Sequence, residues 1–429
     1  MTWSNWAGNQ TMSPVRVVRP TSVDELAAAV KQAAADDLRV KAIGSGHSFT
    51  AIGLTDGVQV DMSGLDRMVS VDTPTGLVTA QAGVPLHALN AVLHQHGLGL
   101  TNMGDIDRQT VSGAVSTGTH GTGRESAGFA MQLAALELVL ADGSQVSCSA
   151  TERPELFELA RVGLGALGIL TSVTFQAEPA FVLRADEGPM PLDDVLDGFD
   201  ELVAANEHFE FYWFPHTDLA LTKRNNRTTD VAPLGRFRKA LDDEILSNGL
   251  FRLTCGLGAL APAVIPRVNR IAARALTART YADSAPHVYT SPRRVRFCEM
   301  EYAIPRAELP AVFRELRTLP ERHGLRVSFP VEVRVAPADD VPLSTGYGRD
   351  SAYIAVHMFK GTSYDAYFGA VEKLVAGVGG RPHWGKLHNL GAAELRERYP
   401  RFDDFVAMRD QLDPQRRFGN AYLERVLGA

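Results

Sequence analysis

The sequence predicts an α+β protein of two domains, and three observations carry that expectation. The chain has 429 residues, more than one ordinary hydrophobic core encloses. Residues 1–178 alternate short strand and helix patterns around dense glycine loops. From residue 179 the texture changes to longer apolar strands alternating with amphipathic helices, the pattern of an antiparallel sheet with helices on one face.

In the first domain, Ser22 and Glu25 have capping-box spacing, and an alanine-rich amphipathic run to about residue 35 predicts a helix. Residues 39–43 alternate polar and apolar, as a short strand does. Further strands are expected at 58–62, 69–71 and 77–82, and a helix at 84–96 closed by Gly97. Asp142-Gly143 between 133–141 and 145–148 signals a β-hairpin. A helix at 155–161 and a strand at 171–176 complete this half. In the second domain, strands are expected at 209–214, 297–304, 328–335 and 352–358, with helices at 192–206, 306–323 and 366–376. The C-terminal tail, about 400–429, is expected to return to the first domain.

Composition narrows the function classes. With 45% hydrophobic and 22% charged residues the chain reads as globular and soluble, and 38 glycines suit a fold whose backbone approaches a ligand closely. A net charge of −7 gives no reason to expect nucleic acid. The basic stretches 236–239 and 293–296 read as solvated surface. Cys148, Cys255 and Cys298 lack CxxC spacing and leave one unpaired. That opposes a disulfide framework or a structural zinc site and fits a reducing cytoplasm, so no metal ligands are assigned. No stretch approaches the ~20 apolar residues of a membrane span. The nearest, 253–266, is interrupted by Pro262 and Pro266 and reads as buried segment or peripheral membrane contact.

The first chemical constellation follows the strand at 39–43: Gly44-Ser45-Gly46-His47-Ser48-Phe49. Successive backbone N–H groups in such a loop form a nest for phosphate. It is not the dinucleotide fingerprint, because Phe49 replaces the third glycine and no helix follows. A second glycine region runs from Gly104-Asp105 to Ser116-Thr117-Gly118-Thr119-His120-Gly121. The local pattern alone also fits a tight turn with a hydrogen-bonded histidine.

The second constellation is Glu332 and Arg334, two apart on a predicted strand and so on one face. Phe329, Val331, Val333 and Val335 make that strand central, and charges there require a polar ligand or a buried pair. Lys386 lies in a constrained loop after Gly380-Arg381-Pro382-His383-Trp384-Gly385. By itself it is equally a solvated lysine.

Taken in order, these blocks resemble the vanillyl-alcohol-oxidase superfamily, and within it the aldonolactone and alditol oxidases. Also carrying the resemblance are Asn5-Trp6, Trp213-Phe214-Pro215-His216-Thr217 and Asn420-Ala421-Tyr422-Leu423-Glu424, and it covers almost the whole chain. It implies a two-domain FAD-binding fold of that superfamily's type, with an α+β cap over the flavin. It implies FAD held covalently through His47, with Gly44, Ser45, Gly46, Ser48 and Phe49 about it. Gly104, Thr110, Gly113, Ser116, Thr117, Gly118, Thr119, His120 and Gly121 would line the second flank, with Gly168, Ile169 and Asn420 further along. For His120 a structural bond to a backbone carbonyl is the stronger alternative. Glu332 and Arg334 would bind substrate hydroxyls and Lys386 would lie at the flavin ring, with Asp105, His357 and His383 nearby.

The implied reaction is hydride transfer from a CH–OH carbon to flavin N5, with Arg334 and Lys386 stabilising the developing alkoxide. A sugar 1,4-lactone ranks first as substrate and a linear alditol such as xylitol second. Oxygen or another electron acceptor, protein or dye, would reoxidise the flavin, and Gly104 leans toward oxygen. A non-enzymatic flavoprotein is opposed by the presence of Glu332, Arg334 and Lys386 together. A non-covalent FAD reductase of the enolpyruvyl-sugar type is opposed by His47.

Overall fold

The computed structural model describes residues 2–235, 256, 258, 260–291 and 293–429. The basic stretch 236–239, Cys255 and part of the apolar run at 253–266 lie outside these residues. Three sheets of three or more strands organise the described residues. A parallel three-stranded sheet has Val58–Asp61 at its centre, flanked by Arg16–Val18 and Val40–Ile43. An antiparallel five-stranded sheet runs in the order Gln145–Ser149, Leu133–Val139, Ile169–Gln176, Leu77–Gln81 and Met68–Asp72. The third is an eight-stranded antiparallel sheet made only from residues beyond 181.

Local chemistry accounts for the elements. Ser22 Oγ accepts from the Glu25 N–H while Glu25 Oε2 reaches the Thr21 N–H at 2.7 Å, starting the helix Val23–Ala35. The hairpin turn closes at Gly143, whose φ of +76° suits glycine. The helix expected over 192–206 is divided at Gly198 into Leu192–Asp197 and Phe199–Ala204. The strands Val182–Pro191 and Leu219–Thr228 were not expected. Their glycine, prolines, arginines and asparagines hide the alternation, and they belong to a sheet with one polar face, where strand propensity depends on context.

The large sheet has two unlike faces. Phe209, Phe211 and Trp213 point toward the helices, where Phe313 of Leu309–Arg322 meets Phe211 and Trp213 edge-on at 5.3 and 5.7 Å. The alternate residues of the same strand, His208, Glu210 and Tyr212, point the other way, onto loops of the first half of the chain. Those loops are fastened to the sheet: Gly123 N–H donates to Val335 O at 2.8 Å, and the His120 ring stacks on Tyr353 at 3.6 Å.

The C-terminal segment packs against the three-stranded sheet. Asn420 Nδ2 donates to the carbonyls of Ala51, Ile52 and Leu54, and Val40 N–H donates to Arg417 O. No helix among the described residues is long and apolar enough to cross a membrane.

Candidate active site

A cleft with about 980 Å³ of open space runs past the end of the strand Val40–Ile43. Gly44, Ser45, Gly46, His47 and Ser48 form one wall, Thr110, Gly113, Ser116 and Thr117 a second, and Gly168 and Ile169 a third. Two glycines hold the walls at this separation. A Cβ on Gly44 would collide with Thr110 Oγ1, and Gly46 has φ +68° with Trp3 against it. Thr110 is committed locally, its Oγ1 accepting from Gly113 N–H. Among the described residues the lining carries hydroxyls and backbone amides but no carboxylate, which fits a molecule bearing phosphates.

His47 closes one end of this cleft, stacked on Trp6 at 5.6 Å. Burial, aided by Arg108 and Lys386, pushes its imidazole down to about 4, so it is neutral at physiological pH. The loop carrying Lys386 docks beside it. Phe49 N–H donates to Gly385 O at 2.7 Å, Thr50 Oγ1 to Trp384 O at 3.2 Å, and Lys386 Nζ stands 5.6 Å from the Phe49 ring centroid. This joins the cleft to the polar face of the large sheet.

That face carries two charge clusters. In the first, Arg334 pairs with Glu332, with Glu210 at 3.1 Å and with Asp105 at 3.4 Å. Tyr212 OH donates to Glu332 at 2.7 Å, Lys223 pairs with Glu210 at 2.8 Å, and Arg293 pairs with Asp105. Burial opposes the charge on Asp105, yet Arg293 and Arg334 hold its carboxyl well below the usual range. Glu332 differs: burial, together with Asp105 and Glu210, outweighs Arg334 and raises its carboxyl. In the second cluster, Lys386 pairs with Glu299 and lies 4.0 Å from Glu301, while His357 reaches Glu299 at 3.5 Å and His120 reaches Glu301 at 3.3 Å. Despite burial, Lys386 and His357 hold Glu299 down at about 2, and Lys386 is itself raised by both carboxylates.

His120, Glu301 and His383 bring three donor atoms within 4.8 Å of one another. Two features oppose a cation there. Lys386 stands 4.0 Å from Glu301, and His383 Nδ1 accepts from Gly385 N–H, which leaves the proton on its Nε2.

The sequence candidates divide accordingly. Gly44, Ser45, Gly46, His47, Ser48, Thr110, Gly113, Ser116, Thr117, Gly168 and Ile169 share the cleft. Phe49 does not line it; the ring is buried against Phe297 at 5.7 Å. Gly104, Gly118, Thr119 and Gly121 are not among the residues that line it. Thr119 Oγ1 accepts from Gln109, and Gly121 is wedged against Met103 O. His120 bonds Gly121 O through Nδ1 and faces Glu301, and Asn420 caps Leu423. Glu332, Arg334, Lys386, Asp105 and His357 come together on the sheet face, with His383 beneath Lys386, neutral because burial pushes it to about 3.

One expectation is overturned. Arg293, read as solvated surface, is half-buried and paired with Asp105 inside the charged cluster; nothing in a basic loop stretch distinguishes that arginine from its neighbours. Glu299, Glu301, Glu210 and Tyr212 were missed too. The signal was there: carboxylates two apart in Phe297–Pro305, and Glu210 with Tyr212 in His208–Trp213, show the alternation that singled out Glu332 and Arg334.

The chain is similar to known proteins in sequence and in fold. Residues 173–426 match the family model "D-arabinono-1,4-lactone oxidase", and residues 14–149 match "FAD binding domain". The chain is 46% identical over 426 residues to the L-gulono-1,4-lactone dehydrogenase of Mycobacterium tuberculosis, covering 99% of each. It is 34% identical over 431 residues to the L-gulonolactone oxidase of Bos taurus, covering 99% of this chain and 98% of that one. With the alditol oxidase of a Streptomyces species it shares 32% over 440 residues, at 99% and 98% coverage. In fold it is similar to the cholesterol oxidase of B. sterolicum, with a TM-score of 0.85 at 19% identity over 99% and 96% of the two chains. The chain therefore has the FAD-binding fold of the vanillyl-alcohol-oxidase type and belongs to the D-arabinono-1,4-lactone oxidase family.

Proposed function

We propose that the protein oxidises a CH–OH carbon of a sugar 1,4-lactone, with FAD as cofactor and His47 as its covalent attachment point. The observation that carries the reading is the meeting of His47, at the end of the cleft, with the Lys386 loop and the charged sheet face. Relatives named for lactones at 46% and 34% identity support that substrate class. FAD, when bound, supplies the two-electron acceptor for the hydride.

The residues of the chain do the rest. Ser45, Ser48, Thr110 and Ser116 offer donors along the cleft. A neutral His47 has the free ring nitrogen that a covalent link requires. Arg334 and Lys386 lower the cost of deprotonating the substrate hydroxyl, because cations in a buried site favour an alkoxide. To Glu332 we assign acceptance of that proton, since its carboxyl is raised above the ordinary range by burial. The division near residue 178 then separates a cofactor domain from a substrate domain, with the C-terminal tail returning to the first. Cys148 and Cys298, buried free thiols, go with a reducing cytoplasm.

Steady-state comparison of L-gulono-1,4-lactone with xylitol, using a dye acceptor, tests the substrate class. The lactone should give the higher kcat/KM by at least about ten-fold, as expected where a site hydrogen-bonds distinctive groups. The reverse order would favour the alditol reading, for which the 32%-identical alditol oxidase speaks. Flavin colour that stays with acid-precipitated protein supports the His47 link; colour released to the supernatant refutes it. Oxygen, or a protein or dye acceptor, completes the cycle, and reoxidation in air distinguishes them.

A further inference from the structure

Among the described residues, Lys41 is the only lysine, arginine, aspartate or glutamate lining the cleft. Its side chain is 3% exposed and rises from the strand Val40–Ile43. Its Nζ donates to Gly165 O at 3.2 Å and to Phe418 O at 3.0 Å. An ammonium has three donors, so one remains beyond these two carbonyls. No carboxylate among the described residues forms an ion pair with it. Asp413, the nearest in effect, has both oxygens occupied by the backbone N–H groups of Arg417 and Phe418.

A buried ammonium with only neutral partners is costly, and the cost disappears when an anion arrives. The cleft beside it is built for a ligand with phosphates and offers no other formal positive charge than this one. We infer that Lys41 is a cofactor-binding residue: its ammonium is the fixed countercharge for the anionic dinucleotide, tied through Phe418 O to the C-terminal segment. The inference rests on the cleft's being the FAD site and not on the identity of the substrate.

A proton linkage follows. Burial, only partly offset by Asp413, lowers Lys41 to about 7 in the free cleft. A bound dianion raises it again, so binding takes up a proton above pH 7, and affinity falls as pH rises through the raised value. The elements around Lys41 carry few other titrating groups: Asp61 on the neighbouring strand, and Asp413, Arg416, Arg417, Tyr422, Glu424 and Arg425 on the C-terminal segment. Residues 163–170 carry none.

The test uses the full-length His47→Ala protein, in which FAD is free to exchange, and measures FAD affinity by fluorescence quenching from pH 6 to 9.5. The parent should bind roughly 10- to 100-fold more weakly at the top of that range, the worth of a charge-assisted hydrogen bond. K41R, which stays charged, should bind with a flat profile, and K41M should be weak throughout. If K41M does not fold, K41R decides: a pH profile identical to the parent's overturns the inference, because every other titrating group is retained. A folded K41M within about three-fold of the parent overturns it equally. A parent that binds no FAD at any pH would overturn the reading of the cleft itself, which is a different failure.

Discussion

At the scale of residues, the site depends on which charges have spare partners. Arg334 serves Glu332, Glu210 and Asp105 together; without it Glu210 keeps Lys223 and Asp105 keeps Arg293, but the buried Glu332 is left with the Tyr212 hydroxyl and no cation paired to it. Arg334→Met should therefore lose stability by about 3–5 kcal/mol as well as activity. Lys386 is the cleaner probe. When it is removed, Glu299 keeps His357 and Glu301 keeps His120. Lys386→Met should slow flavin reduction by roughly 100- to 1,000-fold with a much smaller shift in Tm, and reduction at the wild-type rate would remove Lys386 from the chemistry. The difference between these two residues was not legible in the sequence. Glu332 and Arg334 announced themselves by alternation in an apolar strand, whereas Arg334's other partners, Glu210 and Asp105, come from two other segments.

At the scale of elements, the cleft depends on two loops held apart. Gly44→Ala should push a methyl group into Thr110 Oγ1, disturb its bond to Gly113, and narrow the space between the walls. The expected outcome is folded protein with a flavin-to-protein ratio well below that of the wild type, read from visible and ultraviolet absorbance. Full occupancy would mean that the walls are free to separate. The glycine loops and the principal strands were readable because local rules govern them: capping residues, an Asp-Gly turn and period-two alternation. Val182–Pro191 and Leu219–Thr228 were not, because tertiary pairing imposes strand on residues of mixed preference. The split of 192–206 at Gly198 was available in principle, since glycine weakens a helix interior.

For the molecule as a whole, the two halves are joined through buried histidines and carboxylates, and this sets its response to acid. Burial lowers His383 and His388 to about 3. An unfolded chain takes up these protons near pH 6.5, so between about 6.5 and those values it binds more protons than the native protein does. Stability is therefore full above about 6.5 and declines as pH falls, by roughly 1–2 kcal/mol for each histidine by pH 5. The depressed carboxylates, Asp105 and Glu299 among them, add a further loss only below about pH 4. Thermal melts should thus show Tm falling from pH 6.5 rather than from 4; a Tm constant down to pH 4.5 would contradict this. The fold and cofactor were legible because ordered blocks of unusual residues span the chain, while charge pairing across the two halves required coordinates. The central claim, that a lactone delivers electrons to FAD in this site, is tested most directly by anaerobic titration of the purified protein with L-gulono-1,4-lactone while the visible flavin absorbance is followed. The account predicts stoichiometric bleaching, with recovery on supplying an acceptor; a flavin that stays oxidised at saturating lactone would contradict it.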